Sequence, residues 1–288
     1  MNIGMGGATG FVGGHLTKAF GEKGWKVIPF RRDDLLGDGA ALKEKIESAD
    51  VVINLAGANI AARWTEEYKK IMYGSRVETT KKIVDAVGKA AKKPGLFIAT
   101  SAVGIYDTEH TYDEENAKYA NDFLGRLAMD WETEALKGRG AGVRMVIFRF
   151  GVVLGADGGV LKKMLIPFRL GIGGTIGSGD QSFSWVHIED LVRAYFTVIE
   201  NSRYEGIYNL TAPNPTTNRG LTEALGRSLH RPTLMQIPPF VLRLQLGEGA
   251  EVLLKGQRVL PKRLLESGFV FTFAEIQEAI DDLLKQAR

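Results

Sequence analysis

The run Gly7-Ala8-Thr9-Gly10-Phe11-Val12-Gly13 constrains the fold of this chain more than any other segment. It follows a short apolar stretch, Asn2–Met5, and opens an amphipathic one, Phe11–Glu22. In a strand–turn–helix of this kind the three glycines have separate tasks. Gly7 permits a tight turn at an unusual φ, Gly10 lets backbone approach a pyrophosphate, and Gly13 lets the helix pack closely. The first amides of the helix, with the positive end of its dipole, then hold the phosphates. Gly7, Thr9, Gly10, Phe11, Val12 and Gly13 are therefore candidate dinucleotide contacts, provided that a βαβ unit surrounds them.

The flanking sequence has that pattern. Asn2–Met5, Trp25–Phe30, Asp50–Leu55, Leu96–Thr100 and Val143–Phe150 read as strands, several of them β-branched or aromatic runs of the kind buried in parallel sheets. Helical stretches separate them: Phe11–Glu22, Ala40–Glu47, Thr65–Ala91 with a break near Gly74, and Ala120–Leu136. The alternation predicts an α/β protein, a Rossmann doubly wound parallel sheet over residues 1–155. Beyond it, Leu161–Leu170 reads as a helix and the glycine-rich Gly171–Gly179 as a loop. Ser182–His187 and Gly206–Leu210 read as strands around the helix Glu189–Ile199, and residues 183–210 are expected to return to the sheet. Residues 156–182 and 211–288 are expected to form a smaller α+β lobe on the substrate side, with helices near Leu221–Leu229, Phe240–Leu246 and Phe273–Leu284.

The second strand bears on the choice of dinucleotide. A site for NAD usually ends that strand with an acid that binds the ribose 2′-hydroxyl. Here it ends Pro29-Phe30-Arg31-Arg32, two guanidiniums that suit a 2′-phosphate. NADP(H) is favoured over NAD, although Asp33 and Asp34 follow and a shift of one or two residues in register reverses the choice.

Composition narrows the rest. The chain has no cysteine, which excludes disulfides, thiol nucleophiles and cysteine-ligated zinc. Its four histidines, His15, His110, His187 and His230, have no metal-ligand spacing, so no metal is expected. A net charge of +3 without a basic stripe argues against nucleic acid and against a membrane surface. No apolar run approaches the ~20 residues that span a bilayer. The N-terminus opens on a strand-like run with no basic, then apolar, leader, so a cytoplasmic protein is expected, as monomer or homodimer.

Several segments together resemble an atypical branch of the extended short-chain dehydrogenase/reductase superfamily, the NAD-dependent epimerase/dehydratase-like "epimerase family" with a C-terminal domain of unknown function. They are Gly7–Gly13, Asn54-Leu55-Ala56-Gly57, Arg63-Trp64 with Lys69 and Ser75-Arg76, Ser101–Tyr106, and Phe123-Leu124 with Asp130-Trp131-Glu132. Gly177–Gln181, Ser184-Trp185-Val186-His187, Ala212-Pro213, Arg231-Pro232 and Leu246-Gly247-Glu248 extend the likeness to the C-terminal third. The resemblance implies that Leu55, Ala56, Gly57 and Ser101 also touch the cofactor. It further implies a catalytic tyrosine with a lysine four residues later, beside a serine that polarises the substrate oxygen. No tyrosine in this chain has a lysine four residues on, and aligning Glu132 with the glutamate of that helix motif puts Leu124 and Ala128 at the two positions. Ser101, Tyr106 and Lys69 remain as catalytic candidates. Arg63, Trp64, Gln181, Trp185 and His187 are expected on the substrate side, with Asp190 as a helix cap. Gln181 lies near where some relatives place an arginine on a nucleotide phosphate, which argues against a nucleotide-sugar. Two functions stay open: an NADP(H)-dependent oxidoreductase or epimerase-like enzyme for an unidentified small molecule, and a non-catalytic NADP(H)-binding redox sensor or interaction protein.

Overall fold

The alternation of strand and helix signals becomes a six-stranded sheet in the computed structural model, which describes residues 1–286. The strands are β1 (Asn2–Gly6), β2 (Lys26–Phe30), β3 (Val51–Asn54), β4 (Leu96–Ala102), β5 (Arg144–Phe150) and β6 (Gly206–Leu210). They lie in the order β6-β5-β4-β3-β1-β2, every neighbouring pair parallel. All four residues of β3 are buried, as expected of a strand covered on both faces. Side chains alternate. Ile3, Met5, Ile53, Ile98 and Phe148 pack with the helices Phe11–Glu22 and Ile188–Glu200 on one face. Val52, Phe97, Ala99 and Ile147 pack with Thr79–Lys89 and Phe123–Leu136 on the other.

The chain runs outward from β1 to β2, then crosses to β3 on the other side of β1. The sheet thus reverses direction between β1 and β3, and a crevice opens at the carboxyl ends of those two strands. The glycine-rich turn lies at that point.

Three segments depart from the sequence reading, and a fourth, near Gly74, takes a defined form. Gly171–Gly179 is not all loop: Gly174–Ile176 pairs in parallel with Met235–Ile237. Gly174 belongs there because any Cβ would collide with the Met235 backbone, so the glycine marks a close strand approach. The segment Ser182–His187 splits into Ser182–Phe183 and Trp185–His187, since Ser184 between them turns its hydroxyl to the Gln257 carbonyl (2.8 Å). Trp185–His187 pairs with Val152–Leu154, outside the main sheet. The break expected near Gly74 is a π-helical turn, Gly74–Glu78, between helices Glu66–Tyr73 and Thr79–Lys89. A short helix, Arg32–Leu36, follows β2 where none was expected. Among the described residues no helix is long and apolar enough to cross a membrane.

Candidate functional site

Each glycine of the turn has a distinct spatial reason. Gly7 has φ +79°, and a Cβ there would stand 2.8 Å from the Leu55 carbonyl carbon. Gly13 has no room either, because its Cβ would overlap the Gly7 carbonyl and approach Ala8 Cα to 2.8 Å. Gly10 differs. Around a Cβ at Gly10 the nearest atom is the Gly7 oxygen at 3.3 Å, with nothing else within 4 Å. Its backbone therefore faces open space. Gly10 is the N-cap of Phe11–Glu22, with no side-chain cap and no acid in the first turn. The helix start offers unsatisfied amides and a positive dipole end to an anion, with no resident carboxylate to compete.

The far wall is the segment after β3. The Leu55 amide donates to the Gly6 carbonyl (2.9 Å), which seats Leu55-Ala56 beside Gly7. Asn54 is fully buried and accepts from the Ala56 amide (3.1 Å) while donating to Thr80 Oγ1 (2.8 Å). Trp131 Nε1 donates to the same Thr80 oxygen (2.8 Å). The next two residues are gripped from the π-helical turn. Ser75 Oγ accepts from the Ala58 amide (2.9 Å), and Arg76 Nη2 donates to the Ala58 carbonyl (2.9 Å) beside Gly57. The turn supplies two consecutive side chains to the amide and the carbonyl of one residue, Ala58.

The register of β2 bears on the charge question. Gly6 stands opposite Phe30, so Arg31 leaves the sheet level with Gly7 and Arg32 opens the next helix. Both arginines are exposed. Asp34 is turned away from the crevice: it accepts from the Arg31 amide (2.6 Å) and pairs with Lys45 (2.5 Å). Burial opposes its ionisation, but Lys45 and the Arg31 amide outweigh that and hold its pKa below the usual carboxylate range.

At the carboxyl end of β4, Ser101 is 1% exposed and its hydroxyl has no hydrogen-bond partner. A hydroxyl without a protein partner at a strand end keeps its proton available for a hydrogen bond. The helix Phe123–Leu136 packs beside this strand end, with Leu124 in contact range of Gly104 (3.9 Å from an added Cβ). Ala128, one turn on, is buried. The positions aligned with the tyrosine and lysine thus hold aliphatic side chains beside the strand end. Tyr106 is elsewhere engaged. Its hydroxyl donates to Asn209 Oδ1 (2.9 Å) and accepts from Arg149 Nη1 (2.6 Å), and burial pushes its pKa up to about 12. Arg149, 2% exposed, makes a two-pronged pair with Glu132 (2.7 Å at both nitrogens). That network fixes the helix beneath Ser101, since Arg149 stands next to Ser101 in the sheet.

The remaining candidates scatter. Lys69 pairs with Glu66 (3.0 Å) and Glu248 (2.5 Å), and Tyr73, four residues on, donates to Asp130 (3.1 Å). Arg63 and Trp64 fasten the loop after β3 to the C-terminal lobe, through the Leu244 carbonyl (3.4 Å) and the Leu246 carbonyl (3.2 Å). Gln181 spends its amide nitrogen on the Ile176 and Leu253 carbonyls (3.0 Å each). Trp185 and His187 are both buried, on a strand that pairs with Val152–Leu154 outside the main sheet. His187, not Asp190, caps the helix Ile188–Glu200: its Nδ1 accepts from the Glu189 amide (3.1 Å). Asp190 instead accepts from the amides of Thr272 and Phe273 (2.8 and 2.9 Å). Sequence reasoning missed the Arg149–Glu132 pair and the Asn54–Thr80–Trp131 chain, because neither has a local spacing signal.

His187 makes a pH prediction. Burial holds its pKa down to about 4, against 6.5 for a free imidazole. Between those values the unfolded chain binds the proton and the folded one does not, so stability is full above about 6.5 and falls as pH drops toward 4. The loss at this site is about 3 kcal/mol. Urea melts at pH 7 and pH 4.5 are expected to show a drop that His187→Asn reduces.

Comparison with known proteins bears on the family and the fold. Residues 3–211 match the model of the NAD dependent epimerase/dehydratase family. The chain belongs to that family. Residues 237–283 match a domain of unknown function, DUF1731. Epimerase family protein YfhF of Bacillus subtilis is 39% identical, covering 99% of this chain and 98% of its own length. The mouse epimerase family protein SDR39U1 is 38% identical, covering 99% and 100%. The crystal structure of human SDR39U1 with NADPH superposes with a TM-score of 0.89 at 34% identity, over 99% of both chains. UDP-glucuronic acid 4-epimerase from Bacillus cereus, at 17% identity and a TM-score of 0.80, shares the fold.

Proposed function

We propose that this family member binds NADP(H) and carries out hydride transfer with a small molecule, without a tyrosine–lysine pair. The carrying observation is the uncapped helix start at Gly10, open to an anion at the sheet's reversal point. NADPH in the related human protein supports it. When bound, the reduced nicotinamide supplies a hydride. The chain's own residues do the rest. The amides of Phe11, Val12 and Gly13 hold the pyrophosphate, while that of Gly10 closes the turn onto the Gly7 carbonyl (3.0 Å), and Arg31 with Arg32 hold the 2′-phosphate. Ser101, its hydroxyl otherwise unpaired, donates to the substrate oxygen. Leu124 and Phe123 shield that spot from water.

Replacing both arginines, Arg31→Ala/Arg32→Ala, is expected to weaken NADPH binding about 10- to 100-fold, the worth of one or two charged hydrogen bonds. NADH affinity is expected to stay within about twofold, because NADH carries no 2′-phosphate. Fluorescence titration with both nucleotides checks this, and an equal loss for both would contradict the assignment.

The aliphatic pair Leu124 and Ala128 favours a second reading, a non-catalytic redox sensor. The two readings separate on one assay. Oxidation of NADPH by any member of a carbonyl and enone panel supports the enzyme. A clear difference between NADPH and NADP+ affinity, with no turnover, supports the sensor.

A further inference from the structure

We infer that the site proposed above accepts a neutral, conjugated carbonyl compound of the quinone or enone class, not a nucleotide-sugar. The inference rests on that proposed function and on two properties of the surface beside Ser101.

The first is its polarity. Leu124, Phe123, Trp64 and Ile60 form one partly buried apolar surface between the loop after β3 and the helix beside β4. Trp64 meets Phe123 edge to face at 5.6 Å. The cations nearby are already engaged. Lys69 is held by Glu66 and Glu248, and Arg76 by the Met72 and Ala58 carbonyls. Arg63, next to Trp64, donates to the Leu244 carbonyl, so a diphosphate brought here would lose water and would have to break these bonds to gain a counter-charge, which is costly. A flat apolar ring would gain area and aromatic contact.

The second property is the absence of an acid. Reduction of a simple ketone leaves an alkoxide, nearly as basic as hydroxide, whose conjugate acid has a pKa near that of water (~15.7). Such a product needs a proton donor at the site, and Leu124 is none. A quinone is different. It takes one hydride, two electrons and a proton together, and its oxygen becomes a phenolate-like anion whose conjugate acid has a pKa of ~10. That anion persists long enough to collect its one proton from water after release, and NADP+ is the oxidised partner. Ser101 then needs only to donate a hydrogen bond, which a hydroxyl without a partner is placed to do.

The test is a binding measurement. The protein is saturated with NADP+ and titrated with menadione and, separately, with UDP-glucose in a calorimeter. Menadione is expected to bind at least about tenfold more tightly, and Leu124→Asp to weaken it by about tenfold or more. The comparison of the two ligands on the unmodified protein needs no variant to fold. UDP-glucose binding as tightly as menadione, or a Leu124→Asp protein of normal melting temperature with unchanged menadione affinity, would overturn the inference alone. Failure of NADP+ itself to bind would overturn the proposed function and this inference with it.

Discussion

Gly10→Asp is expected to remove NADPH binding and leave the fold as stable as before, or slightly more so. Gly10 sits at φ −75°, ψ 175°, a conformation open to any residue, and its Cβ meets no atom closer than 3.3 Å. Asp is a preferred N-cap, and its carboxylate would accept the amides of the first turn, adding on the order of a few tenths of a kcal/mol over glycine. Those are the amides that the pyrophosphate needs. The carboxylate therefore occupies the anion site and also repels the ligand, and affinity is expected to fall about 100-fold or more. Gly13→Ala separates the two effects. Its methyl would overlap the Gly7 carbonyl, so both melting temperature and affinity should drop. Thermal melts with nucleotide titrations on the two variants check the contrast. A strongly destabilised Gly10→Asp would show that Gly10 is needed by the fold and not by the ligand.

The largest stability effect is expected at Glu132. Glu132→Gln leaves the Arg149 guanidinium, 2% exposed, without its carboxylate. Breaking a buried pair from one side costs about 3–5 kcal/mol, because an unpaired charge stays in low dielectric. For a chain of this size that lowers the melting temperature by roughly 10 °C. The Tyr106 and Asn209 hydrogen bonds share the strain, since Tyr106 accepts from the same guanidinium. Arg149→Met combined with Glu132→Gln should cost less than the sum of the single changes, as neighbours in one network do. Additive losses would mean that the two charges do not depend on each other.

The fold and the glycine-rich turn were legible from local rules. The continuous apolar runs of β1, β3 and β4 and the glycine spacing at Gly7, Gly10 and Gly13 are properties of adjacent residues, and the structure has them as buried strands and a tight turn into a helix. What lies past Ser101 was not. Trp185 and His187 resemble site residues in a motif, yet the strand Trp185–His187 leaves the main sheet and the helix near the C-terminus covers it. Arg63, Trp64 and Lys69 look like crevice groups in sequence but join one lobe to the other, because their partners are 180 residues or so away, at Leu244, Leu246 and Glu248. Gly174 shows the same limit from the other side. A glycine run reads as a loop until a distant strand, Met235–Ile237, proves to need the space.

Calorimetric titration of the unmodified chain with NADPH and with NADH tests the central claim most directly. One saturable site per chain is expected, with NADPH the tighter ligand. Absence of binding heat and of any rise in melting temperature with either nucleotide would contradict it.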